Sequence, residues 1–134
     1  MCSSDLADDW AILTLAEALP GTIKALAIAT LDRASVVDPR RSRVRLIQAG
    51  YSQDKAHILS LHEGCTVLGE RARGKILVHN CDATKGDSGS PILIGGDGGY
   101  RVVAMHVGTG TDGARTIGVA IAASAFGARL KDLR

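Results

Sequence analysis

His79-Asn80-Cys81-Asp82-Ala83-Thr84-Lys85-Gly86-Asp87-Ser88-Gly89-Ser90-Pro91 is the stretch on which the reading turns. A serine sits between glycines, just ahead of the apolar run Ile92-Leu93-Ile94. Gly, Ser and Asp in series are turn material by default, because they tolerate or reinforce tight backbone angles. This turn also suits a nucleophile. Gly89 removes a side chain beside Ser88, and Gly86 can take backbone angles closed to other residues. The Gly86 and Ser88 N–H groups are then candidates for two donors that face one small cavity. Such donors stabilise a tetrahedral oxyanion, at about 3 kcal/mol each.

The apolar runs on either side are short and separated by turns. Arg43-Val44-Arg45-Leu46-Ile47 alternates with period two, as a half-buried strand does. Further runs follow at His57–Leu61, Cys65–Leu68, Lys75–Val78, Pro91–Ile94, Tyr100–Val107 and Arg115–Ile121. Gly/Asp-rich turns occupy residues 95–99 and 108–113. About six short strands joined by turns predict an all-β, antiparallel barrel or sandwich. Upstream, Trp10–Leu15 reads as a buried strand and Thr22–Leu31 as an extended segment. The tail from Ala122 sets Ala125, Phe126, Leu130 and Leu133 at helical spacing and predicts a C-terminal helix.

Composition removes several classes. The 134 residues carry 16 Lys plus Arg against 14 Asp plus Glu, a formal charge of +2, which lacks the basic excess of a dedicated nucleic-acid binder. Apolar residues at 46% suffice for a core. Aromatics at 3% leave no stacking platform for bases or sugars. The longest uncharged stretch, Thr116–Ala128, is shorter than the roughly 20 residues of a membrane span. Arg40, Arg41, Arg43 and Arg45 form a basic cluster that reads as a solvated linker and strand face, with an anion patch as the sharper alternative.

Three cysteines, Cys2, Cys65 and Cys81, leave an odd thiol. Residues 1–6 read as a sequencing artefact, which would remove Cys2. Cys65 and Cys81 are then either two buried thiols or a disulfide, and a disulfide suits an exported chain. No standard zinc-ligand spacing links the cysteines and histidines, so no metal is expected.

Gly86-Asp87-Ser88-Gly89-Ser90-Pro91 resembles the nucleophile motif of trypsin-like serine peptidases, and its Ser-Pro ending looks most like the bacterial V8-like, glutamyl-endopeptidase branch. Asp9-Trp10-Ala11-Ile12-Leu13 resembles the segment bearing that family's triad aspartate. Val102–Gly108 resembles the strand beside the specificity pocket. The resemblance implies a six-stranded antiparallel β-barrel over 43–121, the second barrel of a double-barrel fold. A remnant of the first barrel would span 7–31, a linker 32–42 and a helix 122–134. It implies Ser88 as nucleophile, Asp9 as the group orienting a histidine, and Gly86 and Ser88 as the oxyanion hole. Asp82, His106, Val107 and Gly108 would bind substrate. Asp82 suits a basic side chain and His106 an acidic one. Asp87 would either pair with a new N-terminus or hold the turn locally.

The same resemblance exposes a gap. The family order is histidine, aspartate, serine, but His57, His62, His79 and His106 all follow Asp9. The expectation is therefore a secreted or periplasmic serine endopeptidase, acting on polypeptide without a cofactor, seen here as a piece lacking its histidine-bearing barrel and inactive alone. A non-catalytic peptide-binding module is the alternative. The subtilisin order fits the histidines, but subtilisin motifs are absent, and the Gly-x-Ser-x-Gly elbow fails at Ser90.

Overall fold

The computed structural model describes residues 6–38 and 43–133. Of the proposed artefact at 1–6 only Leu6 is described; of the linker at 32–42, residues 39–42, with Arg40 and Arg41, lie outside. Eight strands run in chain order: β1 (Ala27–Ile28), β2 (Leu46–Gly50), β3 (Ser60–Cys65), β4 (Val67–Arg71), β5 (Ile76–His79), β6 (Pro91–Ile94), β7 (Arg101–Asp112) and β8 (Arg115–Ala122). Two helices, α1 (Arg33–Val37) and α2 (Ala123–Lys131), accompany them.

The strands form one sheet in the order β3-β2-β6-β7-β8-β5-β4, with β1 added parallel to the start of β7. All other pairings are antiparallel. β7 and β8 make a hairpin closed by Gly113-Ala114, where Gly113 takes the positive φ that such two-residue turns require. The alternation in β2 turns Leu46 and Gln48 inward and leaves Ile47 half-buried. β5 is buried along its whole length, which explains its unbroken Ile-Leu-Val run. Leu46, Val67, Leu77, Ile92 and Val103 meet in the main core. A smaller cluster seats Ala7 on Ile76 and Ile121, with Trp10 and Phe126 packed against it.

This architecture corrects the expected fold. Among the described residues β3 and β4 are the two ends of the sheet and do not pair with each other, so the sheet is open rather than a closed six-stranded barrel. The trypsin-like, V8-like identification falls with the barrel. Period-two alternation fixes which face of a strand is buried, but closure depends on whether the terminal strands meet, which no local pattern encodes. The corner at Thr66 is instead tied covalently. Cys65, at the end of β3, is joined to Cys81, just past β5, with 4.9 Å between Cα atoms.

The upstream segment is also corrected. Trp10–Leu15 forms no strand, and beyond Trp10 it adds nothing to the core: Leu13 is 85% exposed. Of Thr22–Leu31 only Ala27–Ile28 joins the sheet. Residues 11–26 run between two anchored ends, Trp10 against Phe126 at 6.2 Å between ring centroids and β1 against β7. Within them Ile23 N–H to the Pro20 carbonyl is the one backbone bond among the described residues. Apolar composition suggested burial, but this stretch has no facing surface to bury against.

Replacing both Cys65 and Cys81 by serine should lower unfolding free energy by about 3 kcal/mol, the chain-entropy value for a loop of this size. Urea midpoints of the oxidised protein and the double variant, read at equal slope, check this.

Candidate active site

Two consecutive turns, Lys85–Gly86 and Ser88–Gly89, lead into β6. Between them Asp87 is 3% exposed, and its carboxylate organises the segment. It accepts from Ser52 Oγ at 2.9 and 3.1 Å and from the Thr84 N–H at 2.8 Å. Of the two roles weighed for Asp87, the structure therefore shows the local one. The Asp87 N–H donates to the Thr84 carbonyl at 3.2 Å, and the Ser90 N–H to the Asp87 carbonyl at 2.9 Å. The turn is fixed to β7 by Gly89 N–H to His106 O and His106 N–H to Ser90 O, both at 2.8 Å.

Gly86 has φ +98°, and a Cβ there would lie 2.7 Å from the Gln53 backbone nitrogen. Both conformation and space thus require glycine. Gln53 in turn donates its N–H to the Lys85 carbonyl at 2.7 Å. Gly89, at φ +88°, is glycine for conformation alone.

Ser88 is left exposed, with its Oγ 3.3 Å from the Val107 carbonyl. Neither the Gly86 nor the Ser88 N–H has a partner among the described residues. Ser88 and Gly89 border two open cavities. One, of about 480 Å³, has Asp8, Asp9 and Trp10 on one side and Met105 and Val107 on the other. The second, of about 420 Å³, is lined by Ala49, Tyr51, Leu59 and Pro91, with Gly86 at its rim. Asp9 and Ser88 thus share a cavity without touching. Trp10 lines that cavity, and its indole N–H is buried with no acceptor among the described residues.

β7 matters for this site because of its unpaired edge. β6 pairs with it only as far as Met105, while β8 pairs with its other side out to Asp112. Val107 and Gly108 therefore begin a stretch whose β6-side edge is unpaired by any strand.

The four histidines lie elsewhere. His57 lines neither cavity. His62 accepts the Asp82 N–H at Nδ1, at 2.5 Å. Both residues line a separate polar cavity of about 220 Å³, so Asp82 is not beside Ser88. The buried Gln48 also lines that cavity, and its Oε1 has no donor among the described residues. His79 and His106 are each 1% exposed and bond to each other, Nε2 to Nδ1 at 3.1 Å. The Cys81 N–H donates to His79 Nδ1 at 3.1 Å. A backbone N–H only donates, so the His79 proton must sit on Nε2 and point to His106 Nδ1. His106 is then the Nε2–H tautomer. It is buried behind the strand and lines neither cavity at Ser88. A methyl group at Gly118 would collide with the His79 ring, so glycine there makes room for the pair.

Ser52 and the histidine pair were not visible in sequence. Ser52 is 35 residues from Asp87, and His79 is 27 from His106. Only the fold joins them. No protein-family model and no curated protein matches the chain.

Burial, helped by the nearby His106 and His62, holds the His79 imidazole down to about 4. Burial also lowers His106, against the pull of the Asp87 carboxylate. The unfolded chain takes up a proton at His79 near pH 6.5, the folded chain only near pH 4. Stability is therefore full above pH 6.5 and falls as pH drops toward 4, by about 3 kcal/mol from this group. Urea denaturation at pH 7 and pH 4.5 should show the loss, and His79→Gln should flatten it.

Proposed function

We propose that Ser88 is the nucleophile of a serine-type endopeptidase site. The observation that carries this is the exposed Ser88 hydroxyl on a pinned turn whose Gly86 and Ser88 amides are unengaged. An extended polypeptide would lie along the unpaired edge of β7 from Val107, adding a strand through main-chain bonds. Ser88 Oγ would attack the scissile carbonyl carbon while its proton passes to an imidazole. The two amides would hold the oxyanion. Collapse would break the C–N bond as the imidazole returns the proton to the leaving amine. Water would then release the acyl group by the same steps in reverse order.

That imidazole is not one of the four in this chain. We propose that it arrives on a further polypeptide segment seated on residues 11–26, with Asp9 orienting its ring. Three features support this reading. Asp9 and Ser88 face each other across an open cavity. Trp10, whose buried indole N–H has no acceptor among the described residues, lines the same cavity. The adjoining segment exposes Leu13, Leu15, Leu19 and Ile23 with its backbone largely unpaired. The disulfide is consistent with a secreted or periplasmic setting, since such bonds persist in oxidising compartments. No described helix is long and apolar enough to cross a membrane.

A second reading has its own support. No histidine lines either cavity at Ser88, as expected of a non-catalytic module that holds peptides on the β7 edge.

The chain alone should show no turnover of peptide anilides. A fluorophosphonate should label Ser88 slowly, and added imidazole should speed labelling by about tenfold or more, a fraction of what a positioned base supplies. Ser88→Ala should remove the label, read by intact mass. Gly86→Ala should suppress labelling as well. Peptide binding without any labelling, with or without imidazole, would favour the module instead.

A further inference from the structure

Arg43 and Arg45 stand two residues apart on the approach to β2, in phase with Ile47. Period two puts all three on one face of the strand. The fold brings a third guanidinium to them. Arg101 opens β7 opposite Ile94, and Ile94 lies opposite Leu46, so this row belongs to the other face of the sheet and reaches Arg43 and Arg45 around the sheet's end. The three arginines line one open depression of about 570 Å³. Glu63, across from Ile47, is the one carboxylate in its lining. Among the described residues none of the three arginines has an ion-pair partner. The half-buried Ile47 and Ile94 line the same depression.

We infer that this depression binds an acidic stretch of polypeptide, in which carboxylates are interspersed with aliphatic side chains. Three guanidiniums against one carboxylate raise the local positive potential. Each fork presents paired N–H donors that match a carboxylate. Ile47 and Ile94 supply apolar contact between the charged points. No aromatic side chain lines the site, so bases and sugar rings find nothing to stack on. A nucleic acid would be held there through its phosphates alone, and a sulfated polysaccharide has no aliphatic side chain to set against Ile47 and Ile94. The site is distant from the serine turn, since Arg101 lies at the start of β7 and Ser88 contacts it at Val107. It does not depend on Ser88 chemistry.

The test is a titration of the isotope-labelled protein with a short synthetic peptide alternating glutamate and leucine, followed by NMR at low salt. Amide shifts should move at Ile47, Gly64, Ile94 and Gly95. Arg101→Gln should weaken binding about fivefold, the upper value of one exposed ion pair. The double variant Arg43→Glu/Arg45→Glu should abolish it. If that variant does not fold, by near-ultraviolet circular dichroism, Arg101→Gln decides alone. Ser88→Ala should bind as the parent does, so the outcome is independent of the nucleophile. Parallel titrations use inorganic phosphate, an oligothymidylate and a sulfated oligosaccharide. No binding of the peptide, binding insensitive to the arginine changes, or tighter binding of any of these three probes would overturn the inference.

Discussion

The serine turn depends on one buried carboxylate. Asp87 is removed from water and accepts from two donors, the Ser52 hydroxyl, shared between its two oxygens, and the Thr84 N–H. A carboxyl group buried in that position is tolerable only while those donors stay in place. The bonds tie the loop after β2 to the turn before β6. Every other feature of the site follows from that tie. Gly86 can press against the Gln53 backbone, Gly89 and Ser90 can bond to β7, and Ser88 is the residue left facing solvent. Gly50 takes part too, since a side chain there would run into Ser90 Oγ and Asp87 Oδ1.

The two faces of β7 divide the work of the molecule. Its middle carries the serine turn on one side and β8 on the other, and beyond His106 no strand pairs with its first side among the described residues. Behind it His79 and His106 fill the interior with a proton arrangement fixed by the Cys81 amide. Its start, at Arg101, belongs to the basic depression. Residues 11–26 lie beside the serine site with their leucines exposed and most backbone groups unpaired.

Sequence disclosed what local pattern governs. The alternation from Arg43 to Ile47 is the real face pattern of the start of β2, and Gly86-Asp87-Ser88-Gly89 is a turn with an exposed serine. Cys65 and Cys81, left open between thiols and a disulfide, are joined. What failed was global. Six alternating runs do not say whether the outer strands meet, and β3 and β4 do not. The run Trp10–Leu15 was apolar enough for a core, yet burial needs an opposing surface as well as an apolar chain. Ser52 with Asp87, His79 with His106, and Arg101 with Arg43 are contacts between distant parts of the chain, made by strand order alone.

The most direct probe of the serine site is a peptide boronic acid added to isotope-labelled protein. Its boron would bond to Ser88 Oγ and set a negative oxygen where the scissile carbonyl would stand. The account predicts downfield amide-proton shifts confined to Gly86, Ser88 and their neighbours, lost in Ser88→Ala. A boronate adduct on Ser88 that leaves the Gly86 and Ser88 amide protons unmoved would contradict it.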